Sequence, residues 1–222
     1  MPDRHSVAAV PLLSPDAVRG WAMLTAALAL ASLVLQYILL LRAPGLGAGA
    51  ATLRYLGYFT ILSNIGVAAV CAARAGGRRT GIAGPLPAAA VAVYIGITGL
   101  IYSTVLHGLW HPQGWQWWAD TGLHYAVPLL YLLGWLAGPH GGLGGRGLFG
   151  ALLFPALYLG WALLVGRLSG QYPYPFLDLP ALGAAALARN VAWVALAFAV
   201  AACGIWALDA ALARRPRRPP RA

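Results

Sequence analysis

The chain contains no lysine, and only five of its 222 residues are acidic. Its fifteen basic residues are all arginine, and charged residues make up 9% of the whole, where a soluble domain carries about a quarter. So little charge leaves no material for a second, water-soluble domain. It also excludes a folded basic face for nucleic acid, despite a net charge of +10. Cysteine is nearly absent. Cys71 and Cys203 each fall late in an apolar run without paired spacing, which argues against a disulfide framework or a thiolate zinc site. No internal repeat recurs, so a transporter of two inverted halves has no support.

What is present is apolar. Hydrophobic residues form 60% of the chain and gather in six stretches, at about 21–41, 54–73, 86–106, 119–137, 148–166 and 189–209. Each approaches the ~20 helical residues that cross a ~30 Å hydrocarbon core. Barrel strands would be shorter and alternating. The spacing predicts an all-α polytopic membrane protein: a six-transmembrane-helix bundle over 21–209, an N-terminal tail over 1–20 and a basic tail over 210–222. Turn residues punctuate the intervals, among them Pro44-Gly45, Gly76-Gly77, Pro112, Gly138-Pro139 and Pro173 with Pro175. Arg4 and Arg19 precede the first stretch, and Ala29-Leu30-Ala31 is similar to a signal-cleavage site. The apolar run continues to Leu41, too far for a signal core, so a retained helix is expected.

Arginines set the expected orientation. Eleven fall in the tails and in the 74–85 and 138–147 loops, and four (Arg42, Arg54, Arg167, Arg189) fall on the other side. The positive-inside rule places both termini in the cytoplasm of a cell-membrane protein, with the basic tail against anionic membrane lipids.

Polar residues inside the apolar stretches gather near the arginine-poor end. Thr60 lies six residues past Arg54, and Asn64 is one turn deeper on the same face. Asp120 stands at the mouth of the fourth stretch with His124 one turn below. Thr98, Tyr102 and His107 close the third stretch at that level, and Arg189 and Asn190 open the sixth. Ionisable groups are costly in hydrocarbon, so such a cluster is a candidate site. A threonine hydroxyl attacks a carbonyl only when a base takes its proton. Histidine suits that role near neutral pH. Asp120 would orient His124, and Asn64 would hold the pair or donate to an oxyanion. Each residue also has a structural reading. Threonine bonds its own helix, asparagine joins two helices, and Asp120 caps the fourth helix. His107 and His111 have i, i+4 spacing and offer a zinc alternative with His124 or Asp120. Four tryptophans between 107 and 118 read as an interfacial aromatic belt. The prolines at 173 and 175 forbid helix, leaving a segment that lies on the bilayer or covers the bundle mouth.

Four blocks resemble the bacterial six-span membrane proteins of the Pr6Pr family: Arg-Tyr-Leu-Gly-Tyr-Phe-Thr-Ile-Leu-Ser-Asn (54–64), Gly-Leu-Trp-His-Pro-Gln-Gly-Trp-Gln (108–116), Ala-Asp-Thr-Gly-Leu-His-Tyr-Ala-Val-Pro-Leu-Leu-Tyr (119–131) and Tyr-Pro-Tyr-Pro-Phe-Leu-Asp (172–178). More distantly, the pattern is similar to the androgen-induced-gene membrane proteins of animals, which hydrolyse fatty-acid esters of hydroxy fatty acids with an intramembrane threonine and histidine. The resemblance implies a threonine-type hydrolase in which Thr60 and His124 match the catalytic pair. Asn64 and Asp120 belong to the bacterial pattern, and their supporting roles are inferred. The reading is a lipid esterase that needs no cofactor or metal and takes a lipid ester substrate. The alternative is a non-catalytic protein that binds or passes a small ligand, proton or lipid head group through the same cluster.

Overall fold

The computed structural model describes residues 14–214, and within them all regular structure is helical. The sequence's N-terminal tail up to residue 13 and its basic tail beyond residue 214 lie outside the described residues. Among the described residues nine α-helices follow in chain order: α1 Pro15–Leu41, α2 Ala48–Leu56, α3 Phe59–Ala75, α4 Pro85–Ile101, α5 Trp115–Thr121, α6 Val127–Ala137, α7 Gly145–Ala151, α8 Leu153–Ser169 and α9 Leu179–Ala213. Among these residues four helical segments are long and apolar enough to cross a membrane: Pro15–Leu41, Pro85–Leu109, Gly147–Ser169 and Leu179–Ala213. A fifth candidate is the pair α2 and α3, bent by 76°.

All six apolar stretches are helical, but not all are the straight rods their composition suggests; besides the second and fourth, the third ends in a π-helical turn at Tyr102–Leu106 and the fifth is interrupted at Leu152. The second stretch breaks at Gly57 and Tyr58, with Tyr58 extended at φ −89°, ψ 129°. A Cβ on Gly57 would sit 3.1 Å from the Arg54 carbonyl and 3.3 Å from that of Leu53, so glycine permits the tight turn. Tyr158 pins the break from α8. Its hydroxyl donates to the Gly57 carbonyl (2.8 Å) and accepts from the Phe59 N–H (3.1 Å). The fourth stretch begins earlier than its apolar run, at Trp115, and changes winding at Gly122–Ala126, where one π-helical turn joins α5 to α6. Pro128 explains the turn. It has no N–H for the Leu123 and His124 carbonyls, and its ring crowds the helix behind it. Val127 accordingly donates to the Gly122 carbonyl five residues back.

The helix α4 is the hub, packing against α3, α6, α7 and α9. Its residues Ala88 through Ile95 are all buried. A helix apolar on every side and rich in alanine lets its neighbours approach from all directions. The helix α1 pairs with α3 and with the 115–137 segment. Gly122 makes that approach close, since a Cβ there would lie 2.1 Å from Ser32 Oγ and 3.0 Å from Ser32 Cβ. Phe59, the first residue of α3, meets Tyr94, Phe154, Tyr158 and Phe198 with ring centroids 4.9–6.0 Å apart. This cluster fixes the start of α3 against three helices. Large apolar side chains such as Leu157, Trp193 and Val200 point outward and are exposed, as on a bundle surrounded by lipid.

Candidate active site

Thr60 and His124 meet. Thr60 is the second residue of α3, and its Oγ1 lies 3.3 Å from His124 Nε2 in the π-helical turn. Thr60 is buried, whereas His124 keeps partial exposure. On the far side of the imidazole, Nδ1 is 3.0 Å from the Asp120 carbonyl oxygen and 3.2 Å from Asp120 Oδ1. Both of these oxygens are acceptors, so the ring proton belongs on Nδ1. That leaves the Nε2 lone pair facing the threonine hydroxyl, which is the tautomer a general base needs.

The structure moves Asp120 from the helix mouth, where the sequence reading placed it, into the interior. The helix starts at Trp115, so Asp120 occupies its second turn and is 4% exposed. It therefore does not cap the helix. Tyr102 donates its hydroxyl to Asp120 Oδ2 and lays its ring on His124, with centroids 3.7 Å apart and planes 12° from parallel. Asp120 Oδ1 receives no well-aligned hydrogen bond. Close to Nδ1, it stands where it would balance the positive charge of a protonated imidazole.

Thr60 is also placed differently from the straight-helix expectation. Because the second stretch breaks at Gly57, Thr60 sits in the first turn of a new helix rather than part-way along one. It thus faces the positive end of the α3 dipole. Its N–H donates to the Tyr174 hydroxyl (3.3 Å), which also lies 3.5 Å from Thr60 Oγ1. Tyr174 and Leu177 are buried. The proline-rich segment between α8 and α9 thus covers the start of α3. Burial pushes the Tyr174 phenol above its ordinary range, so its hydroxyl stays protonated and able to donate.

Asn64 joins the two helices. Its Nδ2 donates to the Thr60 carbonyl (2.8 Å) and to the Leu123 carbonyl (3.1 Å). Leu123 is the residue whose carbonyl loses a helical donor to the π-turn and Pro128, so Asn64 supplies what the helix cannot. Both amide hydrogens are spent, and Asn64 has none left for an oxyanion. Beneath it, Ser63 Oγ donates to the Thr60 carbonyl and lies 3.0 Å from Thr98 Oγ1.

Sequence reasoning left Tyr174 and Tyr158 unassigned and gave Tyr102 only a depth. Nothing in their spacing reports that three separate elements converge on Thr60. The histidine-zinc alternative does not form. Among the described residues no three His, Cys, Asp or Glu side chains are grouped to hold a metal, and His107 Nδ1 instead faces the Tyr125 hydroxyl at 3.0 Å.

Two cavities meet at Thr60. One, about 260 Å³, is almost wholly apolar and lies among α4, α8 and α9. The other, about 480 Å³, contains His124, Asp120, Gln36, Gln116 and Arg54. Thr60, Leu106 and Tyr174 line both. No protein-family model, curated protein or solved structure matches this chain.

Proposed function

We propose that this protein is a six-span integral membrane esterase that hydrolyses fatty-acid esters at Thr60, with both termini in the cytoplasm. The observation that carries the reading is the Thr60–His124 pair. The base nitrogen faces the hydroxyl, its partner nitrogen is held by Asp120, and the pair stands where two cavities join. The four sequence blocks that resemble the Pr6Pr proteins, and distantly the androgen-induced-gene hydrolases, support it.

In this scheme His124 Nε2 takes the Thr60 proton as Oγ1 bonds to the ester carbonyl carbon. The carbonyl oxygen becomes an oxyanion. Tyr174 donates to it, and the positive end of α3 favours its charge. The carbon–oxygen bond to the alcohol then breaks, and His124 returns the proton to the leaving oxygen. Water attacks the acyl-threonine while His124 removes its proton. That proton goes back to Thr60 Oγ1 as the fatty acid departs. Asp120 and Tyr102 are positioning residues, acting through the imidazole.

The test is covalent labelling of detergent-purified protein with a fluorophosphonate, run alongside a panel of lipid esters. Labelling that disappears in Thr60→Ala, together with ester turnover, is the expected result. Failure to label and failure to cleave any ester would favour the non-catalytic reading, in which the same cluster holds a lipid head group or small ligand.

A further inference from the structure

The apolar cavity beside Thr60 has a mouth on the outside of the bundle. The helices α8 and α9 make no extended contact with each other, and the cavity lies between them against α4. Ala156 on α8 and Ala195 on α9 line the cavity and are also exposed. Residues that face both the cavity and the exterior mark its opening, and here both are alanines, which leave the gap unfilled. Their sequence neighbours Leu157 and Leu196 are 65% and 51% exposed and do not line the cavity. The mouth therefore opens through an apolar surface rather than towards a polar face.

Little inside the cavity would hold water or a head group. Thr98 donates to the Tyr94 carbonyl and Tyr158 to the Gly57 carbonyl, so both hydroxyls are spent. Thr60 and Tyr174 lie at the end shared with the second cavity, their hydroxyls 3.5 Å apart beside His124.

We propose that this cavity is the acyl-chain subsite, and that a straight fatty-acyl chain reaches it sideways from the bilayer between α8 and α9. The proposal rests on the esterase reading for its catalytic sense. The chain lies among α4, α8 and α9 with its carbonyl at Thr60, and the alcohol half occupies the cavity that holds His124 and Arg54. Each methylene moves from lipid rather than from water into the cavity, so the rise in kcat/KM, referred to the ester concentration in the bilayer, is the packing gain alone and levels off once the space is full.

The experiment uses the full chain in phosphatidylcholine nanodiscs, with p-nitrophenyl esters from acetate to palmitate. A second probe is palmitate carrying a terminal diazirine. The wild type should show a rising profile that levels off, and photolabel should map to the α8 and α9 peptides around 156 and 195. Ala156→Phe with Ala195→Phe should lower kcat/KM for the long esters at least tenfold, leave acetate unchanged and remove that label. Leu157→Phe with Leu196→Phe, on the outer surface, should change neither. Thr60→Ala should keep the label while losing turnover. Two results would overturn the subsite while leaving the esterase intact: a flat chain-length profile in an active wild type, or an equal loss on all esters in the double-phenylalanine variant. Photolabel spread evenly over the outer helices in every variant would overturn it as well. Label at the mouth in a protein that cleaves no ester would defeat the esterase reading and leave the lipid-binding cavity standing.

Discussion

At the residue scale, the candidate chemistry depends on which atom faces which. His124 Nε2 faces Thr60, and Nδ1 is held by a backbone carbonyl, with a carboxylate oxygen 3.2 Å away. This arrangement orders a mutant series. Thr60→Ala should abolish ester turnover, and Thr60→Ser should retain part of it. His124→Ala should cost about 10²–10⁴-fold in rate, because the hydroxyl keeps its proton. Asp120→Asn should cost less, because the Asp120 carbonyl still holds the Nδ1 proton in place and only the balancing charge is lost. A merely structural cluster would instead lower yield and thermal midpoint in all four variants together, so each is measured beside turnover. Tyr174→Phe is a separate test. Loss of one oxyanion donor should reduce kcat about 10²–10³-fold with little change in KM, read by steady-state kinetics on a short-chain ester.

At the element scale, two irregularities make the site: the break before α3 and the π-helical turn before α6. The break turns the start of a helix towards the bundle interior. The turn swings His124 towards it, and Asn64 takes up the Leu123 carbonyl that the turn releases. Both depend on close packing by residues with no side chain to spare. Gly122→Ala should push α1 away from the turn, because its Cβ would meet Ser32 Cβ at 3.0 Å. The expected loss is about 1–3 kcal/mol, seen as a lower unfolding midpoint in detergent. Adding Ser32→Gly, which removes both clashing atoms, should restore most of it.

At the scale of the whole molecule, the two ends of the bundle serve different purposes. Beyond the end of α6 at Ala137, about 20 Å along the helix from His124, His140 and Asp209 form a second buried pair with Nδ1 and Oδ1 3.2 Å apart. Asp209 also accepts from the N–H groups of Gly141 (3.0 Å) and Leu143 (3.3 Å), and His140 Nε2 is 3.1 Å from the Leu136 carbonyl. These bonds tie the loop after α6 to the end of α9. Asp209→Asn offers one acceptor oxygen where two now serve three donors. It should therefore destabilise the protein by about 1–3 kcal/mol while leaving ester turnover per folded molecule unchanged. Thermal unfolding and kinetics on the same preparation check both halves.

The sequence by itself determined the helical class, the positions of all six apolar helical stretches and the residues of the central pair. Composition and run length are local properties, and Thr60 and His124 are polar groups in apolar surroundings, visible wherever they fall. Only the tertiary structure decided the depth of Asp120, the bend before Thr60 and the convergence of Tyr102, Tyr158 and Tyr174. The first followed from where the helix begins, which Trp115-Gln116-Trp117-Trp118 obscured because tryptophan reads equally well as an interfacial belt. The second followed from Gly57 and from a tyrosine on a helix about a hundred residues away. The third came from contacts between elements far apart in the chain, and hydroxyls that bond across such distances leave no periodic trace in sequence.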